Sequence, residues 1–206
     1  MMDKDAPKSL GDPAAREARR LQLREPHMAA LAEFARRLRT SYPGRQVPDF
    51  DPWDGGVQAR VLYLLEAPGG RAVDSGFVSR NNPDESAKNF FELNIKAGIP
   101  RRLTVIWNAV PWYIGTGTKI RAASKADVYA GQPPLLELLC LLARLEVVVF
   151  VGRAAEHAGE WLKRERPELM YFSCPHPSPQ NLNTVPANRQ KILQVLHKVA
   201  ERLDTP

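Results

Sequence analysis

Four short apolar runs, each followed by a stretch with helical periodicity, restrict this chain more than any other feature. Residues 59–65, 103–107, 147–151 and 169–173 are dominated by Leu, Val, Ile, Tyr, Phe and Trp. A strand buried on both faces reads this way, and such strands belong mainly to parallel sheets covered by helices. Between the runs, residues 86–97 place Phe90, Leu93, Asn94 and Ala97 on one helical side. Residues 135–145 are nearly all apolar behind Pro133 and Pro134, a helix is expected over 153–164, and the last stretch aligns Ile192, Leu196, Val199 and Leu203. The alternation predicts an α/β fold: a three-layer α/β/α arrangement around a short, mostly parallel four-stranded sheet, with right-handed crossovers.

The remainder of the 206 residues divides simply. Residues 1–12 read as a disordered leader. Residues 13–58 read as an N-terminal helical cap, two helices parted by Pro26, with an irregular connection rich in Pro, Gly and Asp. Residues 59–206 form the α/β domain. No apolar run reaches membrane-spanning length, and the N-terminus lacks the apolar core of a signal peptide. Cys140 and Cys174 are too few for a disulfide framework or a zinc or iron-sulfur centre of their own. The expectation is a monomeric, reduced, cytoplasmic protein with no metal or other cofactor.

The net charge of +6 is modest, but its placement is informative. Residues 96–125 carry six Lys or Arg and no acid; residues 169–200 carry three and no acid. Positive charge gathered in this way suits a polyanion such as a nucleic-acid backbone. Three of the four predicted strands also end in unusual loops. The first gives Glu66-Ala67-Pro68-Gly69-Gly70 and the second Asn108-Ala109-Val110-Pro111. The fourth gives Cys174-Pro175-His176-Pro177-Ser178-Pro179-Gln180-Asn181-Leu182, in which prolines fix φ and hold His176 in a stiff loop. Loops from the carboxyl ends of one parallel sheet converge on one crevice.

In order and spacing, Glu66-Ala67-Pro68-Gly69, Gly76-Phe77-Val78, Asn108 and His176-Pro177-Ser178-Pro179 resemble the uracil-DNA glycosylase superfamily. The resemblance covers about residues 60–200, and its first motif is most similar to the thermostable iron-sulfur branch. This chain lacks the four cysteines of that branch. It also has Ala67 where the best-known branch carries the aspartate that positions water. The resemblance implies uracil-containing DNA as partner, an N-glycosyl hydrolase acting in base excision repair, and His176 facing the uracil O2.

The residues suit that chemistry. Breaking the N-glycosidic bond leaves negative charge on the base, where a rigid His176 can donate a hydrogen bond. The Asn108 carboxamide complements the N3–H and O4 edge of uracil. Phe77 is expected to stack on an extruded base, beside Ala67, Gly69 and Ser178 in the substrate pocket. Glu66 or Asp74 is expected to hold the attacking water. Ser79, Arg80, Asn81, Gln180, Lys119 and Arg121 are the expected DNA contacts, with Leu182 as a wedge in the vacated stack. The alternatives are a non-catalytic binder of damaged or abasic DNA, a glycosylase for hypoxanthine or xanthine, and a small-nucleotide binder.

Overall fold

The computed structural model describes residues 5–116 and 121–204. In chain order the strands are β1 (Asp49–Phe50), β2 (Val61–Leu65), β3 (Phe77–Val78), β4 (Thr104–Asn108), β5 (Val147–Val151) and β6 (Met170–Cys174). The helices are α1 (Pro13–Gln22), α2 (Ala29–Ser41), α3 (Gly70–Ser75), α4 (Glu85–Lys96), α5 (Lys125–Leu141), α6 (Arg153–Gly159), α7 (Leu162–Glu165), α8 (Pro179–Thr184) and α9 (Ala187–Asp204). The four apolar runs form one parallel sheet in the order β4-β2-β5-β6. All five residues of β4 and of β5 are buried, which is why those strands read without alternation.

The connection from β2 leads to β4 on one side, and the next crosses back to β5 on the other. A right-handed crossover then places α4 on one face and α5 on the opposite one. α4 packs against α9, α2 against α5, and α6 lies on β2, β5 and β6. The reversal between β2 and β5 is the switch point at which such sheets leave a crevice beyond their carboxyl ends.

Three local features differ from the sequence reading. The segment expected to be a disordered leader is ordered from Asp5, because Leu10 is fully buried and its N–H donates to the Asn81 carbonyl at 3.1 Å. α5 begins at Lys125, well before the Pro133-Pro134 pair that was expected to open it. Ser124 and Asp127 form a capping box there, and both prolines lie inside the helix. Finally, β1 and β3 pair in parallel as a separate two-stranded sheet. Strands of two residues carry no periodicity to read.

Candidate functional site

A cavity of about 950 Å³ opens at the carboxyl edge of the main sheet. Glu66, Ala67, Pro68 and Gly69 after β2, Asn108 at the end of β4, Gly152 after β5 and His176 after β6 all line it.

His176 is held by its backbone neighbours. Its carbonyl accepts from Asn181 Nδ2 at 3.2 Å, and the Pro177 carbonyl accepts from Asn89 Nδ2 at 3.0 Å. Gly152 donates its N–H to the Cys174 carbonyl at 2.8 Å and has φ +98°. A Cβ on Gly152 would lie 3.0 Å from the His176 Cβ, so the glycine fixes how closely the two loops approach. Burial lowers the His176 pKa below its ordinary value, while the Asp84 and Glu66 carboxylates pull it upward. Burial therefore favours the neutral imidazole over the charged form.

Replacing Gly152 with Ala should cost about 1–3 kcal/mol through backbone strain. The same change should displace the His176 loop. Thermal unfolding and hydrogen exchange in that loop of G152A check both; parental values in each would free Gly152 from this role.

Asn108 is 1% exposed, and its Nδ2 has no hydrogen-bond partner among the described residues. A buried donor without a partner costs about 1–3 kcal/mol, so the position favours a ligand that supplies an acceptor. The strand end is fixed from both sides. Ala109 donates to the Leu65 carbonyl at 2.8 Å and Val110 to the Glu66 carbonyl at 2.9 Å. Opposite them, Gly131 lets α5 come close, since a Cβ there would sit 2.2 Å from the Ala109 carbonyl oxygen.

The two proposed carboxylates separate. Glu66 is half-buried on the cavity wall, and its Oε1 accepts from the Ala123 N–H at 2.7 Å. The Asp74 side chain is 60% exposed, pairs with Arg71 at 3.4 Å and does not line the cavity, because α3 turns it to solvent. The other acids on the wall are Glu156, which accepts from Ser173 Oγ at 2.6 Å, and Asp84, which also caps α4 by accepting from the Ala87 N–H at 2.9 Å.

Phe77 is buried and lies off the cavity. Successive strand residues face opposite ways, and it is Val78 that lines the wall. The aromatic side of the cavity is Phe90, in edge contact with Tyr63 at 4.8 Å between ring centroids.

The expected DNA contacts are redistributed in the same way. Leu182 is 7% exposed and part of the core, so it is no wedge; the exposed apolar residue in this region is Val185, at 43%. Ser79, Arg80 and Asn81 are buried in a polar network: Ser79 Oγ donates to Asp51, and Arg80 donates to Thr104 Oγ1 at 2.5 Å. Ser79 and Arg80 still contribute to the cavity wall. Ser178 lies off the cavity and caps α8. Gln180 is exposed on α8. Arg121 is held by Asp127 at 2.6 Å, which keeps that carboxyl well below the usual range. Lys119 lies outside the described residues. The exposed cations bordering the cavity are Arg71 and Arg153.

Sequence reasoning missed Asp84, Asn89, Phe90 and Asn181. Asp84 carried the signal of a helix cap, an acid just ahead of an apolar periodic stretch. Asn89 had no local signal, because its partner is the distant Pro177 carbonyl, whereas Asn181 bonds back to His176 five residues earlier. No group of three or more His, Cys, Asp or Glu among the described residues is placed to hold a metal ion. Cys140 is exposed, and burial pushes the Cys174 thiol up to about 12.

The parallel α/β sheet thus gathers a histidine, a buried carboxamide and carboxylates around one cavity beyond its carboxyl ends. The family described as the Uracil DNA glycosylase superfamily matches residues 52–199, and the chain belongs to it. That membership places it among the DNA glycosylases, with DNA as partner. Among solved structures it is similar to SMUG2 from Pedobacter heparinus, with 15% identity and a TM-score of 0.56. That match covers 90% of this chain and 87% of the other. It is also similar to a protein from Methanosarcina acetivorans provisionally assigned as a uracil DNA glycosylase, with 16% identity and a TM-score of 0.48. There the match covers 69% of this chain and 92% of the other. No curated protein sequence matches the chain.

Proposed function

We propose that this protein is a monofunctional glycosylase that releases uracil from DNA, leaving an abasic site. The observation that carries the reading is the buried Asn108 carboxamide, on a wall shared with His176, whose Nδ2 lacks a partner among the described residues. An extruded uracil supplies the missing acceptor through O4, and its N3–H donates to the amide oxygen. Cytosine presents an amino group and an unprotonated ring nitrogen at the same edge, leaving both pairs mismatched.

His176 donates to O2 as negative charge builds on the departing base. Water attacks C1′ while the bond from C1′ to N1 breaks, and the bonding pair leaves with the base. Glu66 takes the water proton and offsets the cationic sugar. Phe90 provides the apolar wall beside the base, and Val185 fills the vacated stack in place of Leu182. Arg71 and Arg153 meet phosphates at the rim, which fixes the duplex without reading sequence.

Hypoxanthine gives a second reading. It shows the same donor–acceptor pair as uracil, and a Cβ on Gly69 or Gly70 would meet nothing within 4 Å. Release of free base from oligonucleotides carrying uracil, hypoxanthine or xanthine separates the readings. Uracil is expected to leave fastest. Tight binding to abasic DNA with no base released would make the protein a non-catalytic binder.

The acids are tested side by side. Glu66→Gln should lower the single-turnover rate by about 10²-fold or more, the usual range for a lost general base. Asp84→Asn should cost about tenfold or less, and little stability, because Asn caps a helix as well as Asp. The reverse order would move the water to Asp84.

A further inference from the structure

The cavity wall at residues 79–84 is held by a segment that precedes the family-matched region. Beneath that wall, Arg19 and Arg80 are buried, Arg101 nearly so, and Asp51 and Asp54 are buried with them. Arg19 reaches both Asp51 oxygens at 2.5 Å. Arg101 reaches Asp51 at 2.6 Å and Asp54 at 2.8 Å, and Arg80 lies 3.7 Å from Asp54. Three cations thus face two carboxylates, and an unmatched buried charge is strongly destabilising. The third carboxylate is Asp5, 2.7 Å from Arg101.

The same segment clasps Asn81. Its Nδ2 donates to Asp5 Oδ1 at 2.9 Å and to the Ala6 carbonyl at 2.6 Å. Its own carbonyl accepts from the Leu10 N–H at 3.1 Å, and Leu10 is fully buried. Its Oδ1 accepts from Arg19 at 3.3 Å and Arg101 at 2.5 Å. Asn81 therefore has every polar group engaged, and its neighbours Arg80 and Asn82 line the cavity. The Asp84 N–H donates to the Asn82 carbonyl at 2.8 Å, so the hold on Asn81 passes on to the acid beside His176.

We propose that residues 5–12 are a working part of the site, and that Asn81, clasped by them, is a positioning residue that sets the cavity wall and Asp84 for reaction at His176. The proposal rests on reading the cavity as the base pocket. A segment that merely stabilised the fold would change the unfolding temperature and leave the rate of the folded enzyme alone.

Asn81→Asp isolates the clasp: it keeps an acceptor for Arg19 and Arg101 but loses the donor to Asp5 and Ala6 and places like charges together. The full-length variant should lose about tenfold in single-turnover base release, since small misplacements around a reacting centre cost this much or more. Affinity for abasic-site DNA should stay within about twofold, as binding draws on many contacts that the clasp does not touch. Adding Asp5→Asn restores a donor and removes the repulsion, so the double variant should recover at least about threefold, the non-additivity expected of groups in contact. Parental activity in Asn81→Asp, or no recovery in the double variant, overturns the proposal.

Should Asn81→Asp not fold, Asp5→Ala at its exposed position serves instead. Faster hydrogen exchange at residues 81–84 together with a slower rate is then expected, and parental values of either overturn the proposal. If the parent itself releases no base, the reading of the cavity fails instead, and the exchange arm still decides whether the segment holds the wall.

Discussion

His176→Ala is expected to lower the single-turnover rate of base release by about 10²–10³-fold, the cost of one preorganised donor at a developing oxyanion. Abasic-site DNA should bind within about threefold of parental affinity, because the donor is worth most when charge has moved onto the base. The pH dependence sharpens the test. Burial holds the imidazole below its ordinary pKa, so the acting form is the neutral ring with one N–H. The rate should therefore stay level from about pH 7 to 9. A decline as pH rises through about 6.5, the unperturbed histidine value, would show an imidazolium acting instead.

The same shift has a consequence for stability. The folded pKa lies below the unfolded one, so the native state binds fewer protons. The contribution is complete above about pH 6.5 and is lost as pH falls through the folded value. Urea unfolding at pH 5 and pH 7.5 should show His176→Ala losing part of that acid-side dependence. A variant with parental rate would reduce the proline-bound loop to a rigid turn.

The sheet was legible because strands buried on both faces leave uninterrupted apolar runs, and their alternation with helices left few topologies. Positions fixed by distant partners were not legible. Phe77 follows its glycine as the motif suggests, yet in a two-residue strand only the fold decides which side chain meets the cavity. Leu182 stands among polar neighbours in sequence and is buried by α9, to which α8 is packed. Arg19 lies in a run of charges, but Asp51 and the Trp53 ring, 3.3 Å from its guanidinium, make it core. Asp84 presents two roles in one residue, and the cap masks the acid. In each case the stretch could be found in the sequence, while which side chains meet the cavity was decided by packing across the fold.

The sharpest separation of function from structure is expected at Asn108. Were it a strand-end cap, its amide would be spent on protein groups, and replacing it would cost stability first. Instead Nδ2 is buried and unpartnered among the described residues, and a buried donor left without an acceptor costs about 1–3 kcal/mol. Asn108→Leu, close in size, removes that donor. It should leave the unfolding free energy within about 1 kcal/mol of the parent, or raise it. Uracil release should nonetheless fall by about 10³-fold or more, since sites built on edge hydrogen bonds lose most when those bonds go. Asn108→Asp keeps the size but turns the donor into an acceptor against O4, so uracil excision drops while cytosine, which offers an amino group there, gains relative to it. Chemical unfolding and single-turnover release from paired uracil and cytosine oligonucleotides measure all three quantities. Stability lost together with activity in Asn108→Leu would return Asn108 to the backbone, and uracil recognition would then have to come from main-chain groups around the cavity.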